Sequence, residues 1–367
     1  MRRVCFLLSK NPHEFTTGDT TVSKLVTELA AESFSVSQVA LTVDPQLLGN
    51  HNGIYGVPKP PPSLTSIAYK LATKLRSPVH ARFDIPNLSR RIEQSPDQSY
   101  VAEHSYMAES ALTSGVLQRN LYINTHVSES DVYRNGGKTS GRVMAPLILR
   151  DELRVARRAK RIACFDGDEI QRYERAGLRD VQFLPLTLRP AEKAKVAGTE
   201  KQLVFVGDQR WPPNRQAIER LAYLWPRIQL QVPGARLKII GKPDPNGRPW
   251  HFPPSVEEAG FVDDLSSELS SSRAMVAPLA VGGGVRVKIL EAISVGLPVV
   301  STTTGWGSLA GLFDMTGCDS DDLFIDECVR YLSDPSYAAK VGRELYDANW
   351  TLWEERVAAR AVESWLA

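Results

Sequence analysis

Residues 278–302 read PLAVGGGVRVKILEAISVGLPVVST, and their pattern decides the fold. The apolar run that reaches Leu279 suits a buried strand. Gly282, Gly283 and Gly284 then make a turn, residues 285–295 carry apolar side chains at helical spacing, and LPVVST is strand-like again. Strand, turn, helix and strand in that order make a crossover unit, and crossover units build parallel sheets.

Outward from this stretch the same alternation fills the chain. RVCFLL is strand-like, DTTVSKLVTELAAE is an amphipathic helix and VSQVALT is a strand. GVPKPPPSLTS is too rich in proline for a regular element, and IAYKLATKLRS reads as a basic amphipathic helix. LYINTH is a strand ending in His126, RVMAPLILRDELRVARRA a long helix and RIACF a strand. DEIQRYERAG is a helix stopped by Gly177, and VQFLP is a strand. A polar segment with Pro190 follows and serves as a linker. QLVFVG, a helix from about Asn214 to Gln231, RLKIIG, EAGFV, DLSSELS and AMVAPL lead back to the quoted stretch. Strand signals fade near Thr316.

The chain is therefore expected to be α/β, with two Rossmann-like doubly wound parallel-sheet domains. The first covers 1–187, the linker 188–201 and the second 202–347. Residues 348–367 form a C-terminal helix expected to pack back across the domains. Its Trp350, Trp353 and Trp365 fall on a helical period that suits burial.

Composition agrees. The 367 residues exceed one compact core, and 43% hydrophobic with 23% charged residues is globular usage. A net charge of +2 excludes a nucleic-acid binder that works by charge. Cys5, Cys164, Cys318 and Cys328 lie far apart with no C-x-x-C pair, so neither a disulfide framework nor a zinc site is expected. The first residues lack the apolar stretch of a signal peptide, and no run approaches the roughly 18 apolar residues of a membrane span. A cytoplasmic protein is expected. SIAYKLATKLRSPVHARF, with Lys70, Lys74, Arg76 and Arg82, reads as a solvated helix face. Peripheral contact with the inner face of an anionic membrane is its alternative.

The glycine loop carries the chemistry. A helix start offers unpaired N–H groups and the positive end of the macrodipole. Glycine admits a phosphate close to the backbone, Arg286 can grip phosphate oxygens with a planar fork, and Lys288 adds a point charge. Glu291, one turn on, can accept from a ribose diol. That set suits a nucleotide diphosphate bound beyond the carboxyl ends of parallel strands. A plain turn with surface cations is the alternative. His126, after its strand, suits polar recognition or proton work, and a structural histidine is its alternative. His104 in AEHSYMAE, with Glu103 beside it, and His13 with Glu14 are weaker candidates of the same kind. The aspartates of DGDE (166–169) and DSDD (319–322) read as helix caps rather than metal ligands. Trp211 fits packing or site shaping equally.

FVGDQRWPPN, VPGARLKIIGK, GFVDD, PLAVGGGVRVKILEAISVGLPVVST and TTGWGSL occur in the order seen in family-4-like, group 1 glycosyltransferases of the GT-B fold. The chain resembles the group whose loop reads G-G-G-x-R-x-K-x-L-E-A. In the first half, GDTTVSKLVTELA resembles the glycine loop and first helix, THVSES the H-N-x-E-S segment, and DGDEIQRYERAG a later helix. The resemblance implies two Rossmann-like domains facing a central cleft and a nucleotide-diphosphate sugar, UDP- or GDP-linked, as donor substrate. It implies sugar transfer of the hexosyl type with retention, without a required metal or other cofactor. By resemblance, Arg286 and Lys288 neutralise the diphosphate, and His126 faces the reacting sugar. Gly207, Arg210, Phe261, Val262, Gly282, Gly283, Gly284, Val285 and Glu291 surround the donor. Gly18, Asp19 and Glu129 border the acceptor, where His104 is also placed. Three positions depart from the family pattern. Gly283 stands where many relatives have a first glutamate, and Asp208 stands at an arginine position for which Arg210 is the candidate substitute. Gly307 stands where relatives often have glutamate. The alternatives are a nucleotide-sugar epimerase of the same fold and an inactive sugar-nucleotide binding protein. The acceptor and the oligomeric state are left open by the sequence.

Overall fold

A computed structural model describes residues 1–95, 97–136, 139–247 and 249–367. The chain divides into two compact units. One comprises Met1–Leu186, Gly283–Val285 and Ala358–Ala367, the other Thr187–Gly282 and Arg286–Val357.

The first unit holds β1 (Arg3–Leu8), β2 (Ser35–Thr42), β3 (Gly49–His51), β4 (Ile54–Pro58), β5 (Ser99–Glu103), β6 (Leu121–Asn124), β7 (Arg161–Cys164) and β8 (Val181–Phe183). They form one sheet in the order β3-β4-β2-β1-β5-β6-β7-β8. All neighbours are parallel except β3 and β4. Central strands of a parallel sheet are covered on both faces, so they read as continuous apolar runs. In β1, Val4 through Leu8 are buried without interruption. The helix Gly18–Ala31 follows β1, and at its start Thr20 Oγ1 accepts from the Thr17 amide at 2.9 Å.

The second unit holds β9 (Gln202–Val206), β10 (Arg236–Ile240), β11 (Val256–Gly260), β12 (Ala274–Ala277) and β13 (Val299–Ser301), ordered β11-β10-β9-β12-β13 and wholly parallel. Chain order reverses between β9 and β12 here, and between β1 and β5 in the first unit. Such switch points leave a crevice beyond the strands' carboxyl ends.

Several local expectations change. The proline-rich stretch is not wholly irregular: Gly56–Pro58 belongs to β4 and pairs with β2, while irregular chain begins at Lys59. The short antiparallel strand β3 was missed, although Asn52-Gly53 signals its turn; both residues have positive φ, 47° and 83°. The ladder of β6 stops at Asn124, and His126 lies beyond it at φ 53°. β11 ends at Gly260, so Phe261 and Val262 fall in the loop after it. The single C-terminal helix is two, Pro335–Glu354 and Val357–Leu366, broken where Arg356 takes φ 55°. The tryptophan stripe divides with them: Trp365 is buried against Tyr122, whereas Trp350 is 47% exposed and stacks on Tyr346.

The basic helix Leu64–Lys74 has no buried residue, and its Lys70 and Lys74 ammonium groups turn to Asp84. Among the described residues no helix is long and apolar enough to cross a membrane. The four cysteines are free.

Candidate functional site

At the switch point of the second unit, two loops meet. One follows β9 and the other follows β12. Gly207 opens the first; a Cβ there would sit 2.6 Å from the Asn214 side chain, so the loop can lie against the start of the helix Pro212–Gln231 only with glycine. Asn214 donates to the Asp208 carbonyl at 2.9 Å and accepts from Lys288 Nζ at 2.7 Å. The Lys288 ammonium also lies 4.7 Å from the Phe205 ring centre. Through Asn214, the loop after β9 and the first turn of the helix Val287–Ser294 are tied into one piece.

Arg286 is the residue just before that helix and is 7% exposed. Its guanidinium is oriented by backbone oxygens of the loop after β13, with Nη2 2.8 Å from the Thr304 carbonyl and Nε 3.1 Å from the Gly305 carbonyl. Gly307 closes this pocket at φ 51°, ψ −138°, a backbone state essentially reserved for glycine. A Cβ there would come within 3.1 Å of Arg286 Nη2. The glycine at the family's usual glutamate position thus has a structural cause.

Burial sets the charges. Desolvation, and next the Arg286 charge, push Lys288 down to about 7. Desolvation pushes Glu291 up to about 7, with Lys288 opposing. Arg210 turns to Asp208 of its own loop, with Nε at 2.9 Å, and points its charge there. Phe261 is exposed with the Lys242 ammonium 5.1 Å above its ring, and Val262 is half-buried beside it. Trp211 is exposed at the head of its helix.

In the first unit the equivalent crevice brings together residues from four elements. His126 Nε2 is bonded to Glu103 Oε2. The same carboxylate accepts from Asn124 Nδ2 and from Ser23 Oγ, each at 3.0 Å. Burial raises the Glu103 pKa, but the His126 charge and these donors outweigh it and hold the group low. The rings of His104 and His126 stack at 4.4 Å, and Tyr106 and Phe83 continue the stack at 5.0 and 4.1 Å. His104 has φ 75°, ψ 145°, held by its amide donating to the Asn124 carbonyl at 2.7 Å. Strain of this kind costs roughly 1–3 kcal/mol and gathers at functional sites.

Asp19, in the first turn of its helix, pairs with Lys10 at 2.7 Å and lies 4.0 Å from His104 Nε2. Burial works against its ionisation, but Lys10 and Thr17 hold it well below the usual carboxylate range. Glu129 is 3.5 Å from His104 Nδ1, and burial followed by Asp19 pushes it up to about 7. Burial and the His126 charge drive His104 down to about 3, so its ring is neutral. Gly18 begins the helix. Gly283–Val285 group with this unit; Gly284 has φ 69°, and a Cβ there would meet the His126 carbonyl oxygen at 1.8 Å.

Sequence reasoning left Glu103 as a mere neighbour of His104 and assigned no role to Asn124, Ser23, Asn214 or the Thr304 and Gly305 carbonyls. Their partners are remote in sequence; only the alternation of polar side chains at strand ends hinted at them. His13 does not enter the cluster: its amide bonds Asn11, while Glu14 accepts from Thr42 Oγ1 at 2.7 Å. Asp166 caps the helix Gly167–Arg175, as expected. For the helix Asp321–Ser333 the cap is Ser320, and Asp319 instead binds the Thr303 amide at 2.8 Å. Among the described residues no group of three or more His, Cys, Asp or Glu is placed to hold a metal.

Residues 200–334 match the family Glycosyl transferases group 1. No curated protein matches the chain by sequence. Among solved structures, the fold is similar to sucrose-phosphate synthase from Thermosynechococcus elongatus, at 16% identity and a TM-score of 0.77 over 99% of this chain and 98% of that one. It is also similar to WaaG, a glycosyltransferase involved in lipopolysaccharide biosynthesis, at 13% identity and a TM-score of 0.69 over 98% and 99% of the two chains. HepE from Anabaena, solved with UDP and glucose, has 11% identity and a TM-score of 0.66, each chain being covered to 98%. Apart from Gly283–Val285, the matched segment lies within the second unit, and it includes the loops after β9 and β12. Residues 200–334 thus carry the Glycosyl transferases group 1 match, and the whole chain has the GT-B fold of these solved glycosyltransferases.

Proposed function

We propose that the protein moves a sugar from a nucleotide-diphosphate sugar to an acceptor hydroxyl with retention at the anomeric carbon. The carrying observation is the crevice of the second unit, where Arg286 and Lys288 stand at a glycine turn and a helix start, held by Thr304, Gly305 and Asn214. In this reading the amides of residues 282–285 and the two cations receive the diphosphate, and Glu291 holds the ribose. Gly207, Phe261 and Val262 border the nucleoside. Lys288 is poised for an anion: its charge is suppressed by desolvation, and a diphosphate restores it.

The bond between C1 and the diphosphate oxygen breaks first, and the electron pair leaves with the diphosphate. The acceptor oxygen attacks from the same face, and its proton passes to the departing phosphate oxygen. Arg286 and Lys288 stabilise charge where it develops, usually the largest catalytic term. They supply the counter-charge themselves, so no metal is required in this reading. His126, held by Glu103, faces the sugar, and Asp19, His104 and Glu129 receive the acceptor. HepE was solved with UDP and glucose, and also with UDP-glucose, which makes UDP-sugars the first donors to try.

Incubation with labelled UDP- and GDP-sugars tests this. Slow release of the sugar, with free nucleoside diphosphate, supports transfer. An isomerised donor would instead identify an epimerase, and binding without turnover a sugar-nucleotide binding protein.

A further inference from the structure

The first unit contains a second concavity that the transfer reaction does not use. It has a volume of about 690 Å³ and is walled by Arg76, Arg150, Arg154, Arg157, Arg158 and Glu109. Leu112 and Thr113, which also line it, end the helix that follows β5, and Arg154 sits in the last turn of the helix Thr139–Ala156 that leads to β7. Crossover helices run antiparallel to their strands, so these ends lie toward the amino-terminal edge of the sheet. The His104–His126 cluster is at the carboxyl edge.

We propose that this cavity binds a small anion carrying two or more phosphate groups. Its arginines are fixed from behind by buried carboxylates. Asp151, fully buried, accepts from Arg154 Nε at 3.0 Å and from the Ser77 amide at 2.5 Å. Glu109, 2% exposed, is bonded by Arg154 and lies 3.5 Å from Arg76 Nε. Arg150 donates to the Leu75 carbonyl. These side chains lose their rotamer freedom on folding, so a ligand need not order them again. Arg157 and Arg158 are exposed at the rim. Among the described residues, the carboxylates paired with these five guanidinium groups are Glu109 and Asp151, which leaves a surplus of three positive charges. Guanidinium groups match phosphate oxygens two at a time, and several converging on one cavity favour adjacent phosphates over a single carboxylate. The volume is that of a small-molecule site.

The test is calorimetric titration of the full chain with inorganic tripolyphosphate, with hydrogen exchange to locate it. Arg154→Ala would take a partner from both buried carboxylates, Glu109 and Asp151, so the exposed pair carries the test. Arg157→Glu with Arg158→Glu is expected to keep the fold and to weaken binding by about tenfold or more. Arg286→Ala is expected to retain this binding, with protection at residues 112–113 and 150–158. A second arm uses vesicles containing phosphatidic acid. Sedimentation with vesicles that is lost in the double variant assigns the phosphates to a lipid headgroup, and tripolyphosphate binding alone assigns a soluble ligand. The proposal is overturned if the double variant binds as tightly as the parent, or if the parent binds neither probe.

Discussion

The two crevices sit at equivalent points of two sheets, yet they are built by opposite means. In the second unit the cations come from one short stretch, Arg286 to Lys288, and remote residues only steady them. In the first unit almost nothing is contiguous: Ser23, Glu103, Asn124 and His126 come from a helix and two strand ends, and meet on one carboxylate. The second crevice holds two groups, Lys288 and Glu291, whose charged forms burial disfavours. The first consumes its charge internally and stores backbone strain at His104. A loop that receives a charged ligand needs the design of the second unit, whereas a wall that presents hydroxyl partners in fixed positions suits that of the first.

The largest test of this contrast is Glu103→Ala. It strands His126, Asn124 and Ser23 in a buried site, and it is expected to destabilise the fold by roughly 3–5 kcal/mol, measured by urea unfolding. An effect below about 1 kcal/mol would mean that the network is not structural.

Arg286→Ala is expected to lower turnover of the sugar nucleotide by about 100- to 1,000-fold, since in the proposed reading it removes the donor aimed at the leaving group. Unchanged turnover would break the assignment, and an Arg286→Lys variant separates charge from the two carbonyl contacts.

Gly307→Ala probes the same guanidinium through the backbone. The φ of 51° and the close approach to Arg286 predict a cost of roughly 1–3 kcal/mol together with reduced turnover. Gly284→Ala, at φ 69° against the His126 carbonyl, should cost a comparable amount but act on the first crevice.

The last test is a pH slope. Glu169, 4% exposed, has its pKa raised by burial and then by Glu152 to about 8. A carboxyl raised in the folded state contributes stability below its ordinary value near 4.5, and loses it as pH climbs through about 8. Between pH 5 and 8 this group lowers stability by about 1.4 kcal/mol per pH unit, and Glu169→Gln should remove that slope in urea titrations.

How much was legible follows from the same contrast. The strand, loop and helix around Arg286 could be read directly, because glycine spacing and apolar periodicity are local properties. Gly307 looked like a departure from the family until its backbone angles and the nearby guanidinium accounted for it. His104 and His126 could be suspected as polar residues after strands, but their stacking and the shared Glu103 depend on β5 and β6 being neighbours. Arg210 could be offered as a substitute cation from the resemblance alone, and the structure turns it to Asp208 two residues away. The break at Arg356 escaped notice because the apolar period runs across it without a glycine or proline.

The sequence by itself determined that two parallel α/β units exist and that a glycine turn carries two cations into a helix start, because periodicity and turn chemistry act over a few residues. Only the tertiary structure decided which buried groups share a proton or a charge. Burial and the approach of side chains a hundred residues apart set those energies, and neither is written in any local run of amino acids.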